Sequence, residues 1–329
     1  MATIKDVAND AGVAVGTVSK VLNGHHVSEE NKRKVEESVA RLGYQMNYYA
    51  RGLKTPYTYT VAVIVPDILT PFFACLVYYI EQELYRYGYR MFLCQSMHEA
   101  KKDSYYLQLA RQNKVDGILG ITFNTTELSQ AGDTPVVMIA RHLENSVCVT
   151  SDNFHGGELA VQELAARESR RLLFIRSGSH LSSETLKRGA GFVAACKERG
   201  LAYEVMDSGD DADGFNAEDI YDYLWEHMID GKLEFDGIYT STDGLGLTVL
   251  EQLRRLHIQV PKEVQLIGHD GLRHLNRGAY LISSIAQPVE DMARAAVESV
   301  IHRIRKEPVQ EMTVLPVTFV EGGTTRIKE

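Results

Sequence analysis

Disulfide chemistry has almost no raw material in this chain: of 329 residues only four are cysteine. Cys75, Cys94, Cys148 and Cys196 lie far apart and none forms a Cys-x-x-Cys pair, which excludes a disulfide scaffold and argues against a zinc knuckle. All four are expected to be buried thiols in a reducing cytoplasm. No apolar run approaches the ~20 residues that span a bilayer. The opening Met-Ala-Thr-Ile-Lys-Asp lacks the charged-then-apolar pattern of a secretory leader, so no membrane partner is expected. Catalytic signatures are missing too. There is no Gly-x-Ser-x-Gly elbow, Walker loop or His-Glu-x-x-His, and "DGLGLT" lacks the third glycine of a dinucleotide fingerprint. The eleven histidines are scattered, with His25-His26 in an expected loop. Neither an enzyme, a metal site nor a cofactor is expected.

What the chain does have is the composition of a folded protein, 44% hydrophobic and 24% charged, at a length that implies two or three domains. Its net charge of −9 is unevenly spread: Met1 to Thr55 carries eight Lys and Arg against six acids, leaving the head at +2 and the rest at −11. A segment of opposite sign in an acidic chain is a weak pointer to nucleic acid.

Within that head, Ile4, Val7, Ala8 and Ala11 recur at helical spacing, with Thr3 as N-cap, Asp6 in the first turn and Gly12 as the stop. Val18, Val21 and Leu22 form a second stripe after a short turn. Val35, Val39 and Leu42, opened by Ser28 and closed by Gly43, form a third. Two short helices joined by a glycine-containing turn make a helix-turn-helix. The second helix turns Gly16, Lys20 and Asn23 away from its apolar stripe, with Val15 at the mouth and Thr17 and Ser19 flanking. Small residues let a helix approach base edges, Val15 suits a thymine methyl, and Lys20 can donate to guanine. Thr17, Ser19 and Asn23 suit phosphates. A three-helix adaptor without a DNA role shows the same stripes and stays open as the alternative.

"TIKDVANDAGVAVGTVSKVLNG" followed by "VSEENKRKVEESVARLGYQMNYYARGLKT" resembles the amino-terminal domain of the LacI/GalR family of bacterial transcription regulators, almost continuously from Thr3 to Thr55. The resemblance implies that Val15, Gly16 and Lys20 occupy base-reading positions, lysine standing where the family more often has arginine. It also implies a hinge helix in "NYYARGLK", with Leu53 as a minor-groove wedge beside Ala50 and Arg51. Eight residues containing Gly52 form no stable helix alone, so such a segment needs a partner helix and DNA. Met46 departs from the family's usual proline, and Gly52 is unusual within that helix. An ordinary flexible linker is the alternative.

From Tyr59 onward, strand-like runs alternate with helical stretches: "TVAVIVP", "RMFLCQS", "VDGILGI" and "PVVMIA", then "RLLFIRS", "YEVMDS", "FDGIYTS" and "VQLIGHD". Two such sets imply two parallel α/β lobes with ligands beyond the carboxyl ends of strands. The resemblance extends here and implies the type I periplasmic-binding-protein-like fold. The expected architecture is therefore an all-α helix-turn-helix DNA-binding domain (1–46), a hinge helix and linker (47–58), and an α/β two-lobed effector-binding domain (59–329). Its first lobe is expected at 59–152 and 285–311 and its second at 153–284 and 312–329, with crossings near Asp152, Ser284 and Glu311.

By the same resemblance the effector cleft draws on Phe72 and Phe73 for stacking, Asp152 near a crossing, Arg188 in "LKRGAGF", Phe215 after "DADG", Asp243, Asp270 in "LIGHD" and Gln287 in "IAQP". Thr242-Asp243 departs from the family's usual Asn-Asp. Each residue has a plainer alternative: Arg188 a surface ion pair, a phenylalanine part of the core, Asp270 a helix cap. Arginine, aspartate and aromatics in one cleft suit a sugar or sugar phosphate. A purine nucleoside or a phosphoprotein corepressor remains open, and a sugar-binding transport component fits least. The expected protein is a cytoplasmic homodimeric repressor of a catabolic operon, binding a pseudo-palindromic double-stranded DNA operator under control of a small-molecule effector.

Overall fold

In the computed structural model, which describes residues 2–22, 26–44, 57–97, 99–121, 128–143, 146–176, 183–208, 210–211, 214–273 and 278–328, three short helices come first. They are α1 (Ile4–Ala11), α2 (Val15–Leu22) and α3 (Glu29–Leu42). Thr3 and Asp6 form a reciprocal capping box: the Thr3 amide donates to Asp6 Oδ2 at 2.7 Å and the Asp6 amide to Thr3 Oγ1 at 3.3 Å. Gly12 ends α1 at φ 64°, where a side chain would be strained. Ser28 caps α3 through the Asn31 amide. Val7, Ala8, Ala11, Val18 and Val35 make the small core of this unit, Met1–Thr58. Ala50, Arg51 and Leu53 of the expected hinge, and Asn23, lie outside the described residues.

The second unit, Tyr59–Glu329, holds two sheets. Its strands are β1 (Thr60–Val65), β2 (Arg90–Gln95), β3 (Gly117–Gly120), β4 (Val136–Ile139), β5 (Val147–Ser151), β6 (Arg171–Arg176) and β7 (Ala202–Asp207). The hairpins β8–β9 (Asp210–Asp211, Gly214–Phe215) and β10–β11 (Met228–Ile229, Lys232–Leu233) come next. β12 (Gly237–Thr240), β13 (Gln265–Asp270), β14 (Ser284–Ala286), β15 (Met312–Leu315) and β16 (Thr318–Val320) complete the set. The helices between them are α4 (Pro71–Arg86), α5 (Ala100–Gln112), α6 (Asn153–Ala166), α7 (Ser183–Arg199), α8 (Ala217–Glu226), α9 (Asp243–Arg255) and α10 (Val289–Ile304). None of the described helices is long and apolar enough to cross a membrane.

The first sheet runs β15-β5-β4-β3-β1-β2, all parallel, and the second β16-β14-β13-β12-β6-β7, parallel except for β16. Strands buried on both faces explain why "TVAVIV" shows no polar alternation. Val61, Val63 and Val65 face α4 and α10, while Ala62 and Ile64 face α5. In the second lobe α8 and α9 cover one face, α6 and α7 the other. Strand order reverses between β1 and β3 and again between β6 and β12, the points where open α/β sheets leave a crevice.

Three expectations need correction. β14 pairs with β13 in the second sheet, so the second crossing comes at Gln287-Pro288 and not at Ser284. β15 pairs with β5, so residues 312–315 belong to the first lobe and the third crossing falls at Pro316-Val317, past Glu311. Both strands have four residues or fewer and are followed within two residues by proline, too short for a hydrophobic pattern to register. Of the cysteines, Cys94, Cys148 and Cys196 are buried, with thiols pushed up by burial to about 11, 12 and 12, but Cys75 is only half-buried on α4.

Candidate functional site

In the head, α2 presents two faces. Val18 is fully buried, and Val21 and Leu22 pack against the same core. Gly16 and Lys20 are exposed on the other side, with Thr17 and Ser19 half-buried between. Val15 is half-buried and leans on the head's core, so only part of it faces outward. A Cβ added at Gly16 would meet nothing within 4 Å, and its φ is not left-handed. Among the described residues of the head nothing requires glycine there, although glycine in a helix costs about 0.5–1 kcal/mol relative to alanine.

In the body, close helix packing delivers the charged groups. A Cβ at Gly157 of α6 would stand 2.0 Å from the Arg188 carbonyl oxygen, and one at Gly191 of α7 would stand 1.9 Å from that of Phe154. Glycine lets the two backbones touch, which carries Arg188 onto the first turn of α6. There its Nε donates to Asn153 Oδ1 at 2.7 Å, and Nη1 donates to the Ser241 carbonyl just past β12. Nη1 also lies 3.9 Å from Asp270 Oδ1, while Nη2 makes no hydrogen bond to a described residue.

Asp270 ends β13 with φ 136°, a backbone region that costs a non-glycine residue of order 1–3 kcal/mol. Gln287 donates from Nε2 to Asp270 Oδ1 at 2.8 Å. Asp243 sits beneath the following turn, fully buried: its Oδ2 accepts from the Leu272 amide at 2.7 Å and its Oδ1 from the Ser284 hydroxyl at 2.6 Å. Burial pushes both carboxyls up, Asp270 to about 6 against the pull of Arg188, and Asp243 to about 7 with help from the neighbouring Asp270 charge. One guanidinium faces two acids, so the pair keeps a proton near neutrality. Behind them the Tyr239 hydroxyl and His269 Nδ1 are hydrogen-bonded at 2.7 Å. Burial, then the Arg188 charge, hold that imidazole well below its usual range, so it is neutral.

The structure thus brings together Arg188, Asp270 and Gln287, with Asp243 underneath. Asp152 instead caps α6, accepting the His155 amide at 3.0 Å. Its neighbour Asn153 is the residue that meets Arg188; an aspartate directly before a helical stretch was a readable cap signal. Phe72 belongs to the first lobe's core, and Phe73, edge-on to it at 5.5 Å, is half-buried. Phe215 falls in the hairpin strand β9, its side chain outside the described part. Asn153, Ser151 and Ser241 escaped the sequence reading, being small polar residues with no motif of their own.

Residues 3–47 match the bacterial regulatory proteins of the lacI family, and residues 161–325 match a periplasmic binding protein-like domain. The chain is 34% identical over 330 residues to the ribose operon repressor of Bacillus subtilis (strain 168), covering 99% of each. A periplasmic binding protein/LacI transcriptional regulator from Alkaliphilus metalliredigens QYMF, complexed with D-xylulofuranose, is 26% identical at a TM-score of 0.69, covering 82% of this chain and 99% of that one. The lac repressor dimer bound to operator and the anti-inducer ONPF shares the fold at a TM-score of 0.83 and 18% identity, over 98% of this chain and 99% of that one. The chain belongs to the lacI family of bacterial regulatory proteins.

Proposed function

We propose that this protein is a repressor of a sugar-use operon. Its heads, paired in a homodimer, grip a pseudo-palindromic operator, and its body resets that grip when a neutral sugar binds beside Arg188 and Asp270. Gly16 and Lys20 read bases with Val15 at the edge, and Thr17 and Ser19 meet phosphates. Phe73 offers the flat face for the sugar ring, Nη2 of Arg188 donates to hydroxyls, and Asp270 and Gln287 fix their pattern. Asp243, with both oxygens engaged, builds the turn that aims Asp270 and touches no ligand.

The observation that carries the ligand class is the charge at the strand ends. Beside Asp270 and Asp243, two buried acids, stands the Arg188 cation, already shared with Asn153, Ser241 and Asp270. A phosphate would enter against that balance, whereas hydroxyls can both donate to carboxylates and accept from the guanidinium. The ribose operon repressor name of the relative and the D-xylulofuranose in the solved neighbour support a small sugar.

Thermal unfolding with D-ribose, D-ribose 5-phosphate and adenosine tests it. A neutral sugar at a hundred times its Kd stabilises the folded state by about 2.7 kcal/mol, and the phosphate does not. Stabilisation by the phosphate or the nucleoside, with neutral sugars inert, would overturn the assignment.

A further inference from the structure

Four hydrogen bonds and one ion pair link the side chains of the body's site into a circuit. The Ser151 hydroxyl, at the end of β5 in the first lobe, donates to Gln287 Oε1 at 2.7 Å. Gln287, at the second crossing, donates to Asp270 Oδ1 at 2.8 Å. Asp270 Oδ1 lies 3.9 Å from Arg188 Nη1, and Arg188 Nε donates to Asn153 Oδ1 at 2.7 Å. Asn153 Nδ2 then donates back to the Ser151 carbonyl oxygen at 2.9 Å and to Thr150 Oγ1 at 3.2 Å. Every side chain in this circuit is buried.

Within it Ser151 has a particular place. A primary amide has a donating and an accepting end. The Asp270 carboxylate takes the donating end of Gln287, which leaves Oε1 buried and in need of a donor. Ser151 supplies it. Without that hydroxyl, Oε1 is an unsatisfied buried acceptor, and Gln287 relieves this by rotating away from Asp270. Ser151, in the first lobe, is also held on both sides of the circuit, through its hydroxyl by Gln287 and through its carbonyl by Asn153.

We propose that Ser151 is a positioning residue of the effector site: its hydroxyl holds Gln287 against Asp270 and so ties the first lobe to ligand-binding groups that belong to the second. The circuit is independent of which ligand binds; its part in signalling rests on the sugar-response reading above. A ligand that draws Asp270 and Arg188 towards itself moves Gln287 and Asn153, and both movements converge on the end of β5. Ser151 is then where recognition becomes displacement of one lobe against the other.

The deciding experiment uses the full chain without ligand. Urea unfolding of wild type, Ser151→Ala, Gln287→Ala, the double variant and Ser151→Thr is followed from pH 5 to 8. Asp270 and Asp243 both titrate in this range; the amide donor acts on Asp270, which faces Asp243, Arg188, His269 and Tyr239 in addition to Gln287. Loss of the amide donor makes Asp270 keep its proton to higher pH. The stability profile is expected to move up in pH by the same amount in Ser151→Ala and Gln287→Ala, no further in the double variant, and not at all in Ser151→Thr. A Ser151→Ala profile that overlies wild type, or that adds in full to Gln287→Ala, overturns the proposal. With D-ribose as probe, coupling between ligand and operator, about 5–150-fold in systems of this kind, is expected to fall towards one in Ser151→Ala while D-ribose still binds the free protein. Coupling undiminished in that variant also overturns it. Failure of D-ribose to bind wild type counts against the sugar reading alone, because the ligand-free profiles still decide the role of Ser151.

Discussion

The head and the body handle charge in opposite ways. On α2 the candidate contacts Gly16 and Lys20 are exposed, Lys20 standing in water on a helix whose other side is the fully buried Val18. In the body Arg188 is 4% and Asp270 7% exposed, each bound to protein partners before any ligand arrives. Under the proposed function, the difference follows from what each recognises. Duplex DNA is a polyanion whose binding gains from releasing condensed counterions, so a hydrated, accessible lysine serves it and the contact weakens with salt. A small neutral ligand offers only hydroxyls. To discriminate among them a site needs dry, pre-aimed donors and acceptors whose loss is costly. Salt should therefore act on the head and pH on the body.

The largest expected effect breaks the body's side of this contrast. Arg188→Ala leaves Asp270 and Asp243 buried without the neighbouring cation and strips Asn153 Oδ1 of its donor. Removing one member of a buried charge pair costs about 3–5 kcal/mol. Chemical denaturation should show the body's transition falling by that amount with the head's unchanged. A loss below about 1 kcal/mol would show that the guanidinium's contacts are dispensable to the fold.

Next in size is the pH response. Asp270 and Asp243 titrate in the folded body at about 6 and about 7, above the ordinary 3.8. A carboxyl raised on folding contributes stability that is complete below its unfolded value and is lost as pH rises through its folded value. The body should therefore weaken between pH 5 and 8, and Asp270→Asn should flatten that slope. Acids held low by partners, such as Glu163 beside Arg167 and Asp207 beside Arg176, act in the opposite sense, but only in more acidic solution. A wild-type slope that survives in Asp270→Asn would place the titration elsewhere.

How much of this was legible beforehand also divides between head and body. Thr3, Gly12, Ser28 and Gly43 announce the ends of the head's helices because capping is a local affair, settled within four residues. The long strands of the body showed themselves as apolar runs, and Arg188 and Asp270 through their family resemblance. The partners of Arg188 did not. Asn153 lies 35 residues from it in sequence and reaches it only because Gly157 and Gly191 let two helices touch. Ser151 and Gln287 are separated by 136 residues. Asp152 drew attention as an acid and Phe72 as an aromatic, while residue type alone did not tell that Asp152 caps α6 and that Phe72 packs in the core. Residue type marks candidate chemistry, and long-range packing decides which of two neighbours performs it.

On the head, Lys20→Ala should cost about 1–3 kcal/mol on the cognate operator and relax base preference at one position, as expected of a base-reading contact. Binding measured on cognate and scrambled duplexes separates the roles. An equal loss on both, with a salt slope lower by about one, would reassign Lys20 to a phosphate.

The smallest effect is the sharpest probe of the head, because its two parts have opposite sign. A methyl group at Gly16 meets no atom within 4 Å, so Gly16→Ala cannot be resisted by packing. Alanine is the better helix former by about 0.5–1 kcal/mol, and the head should gain up to that amount, read as a rise in its melting temperature. If small size at Gly16 serves the approach of α2 to base edges, the same methyl must collide with the duplex, and operator affinity must fall while stability rises. A residue kept only by chance would give the gain without the loss. Stability and binding moving apart in one variant would show that the exposed face of α2 is shaped by something it touches and not by the three helices that carry it.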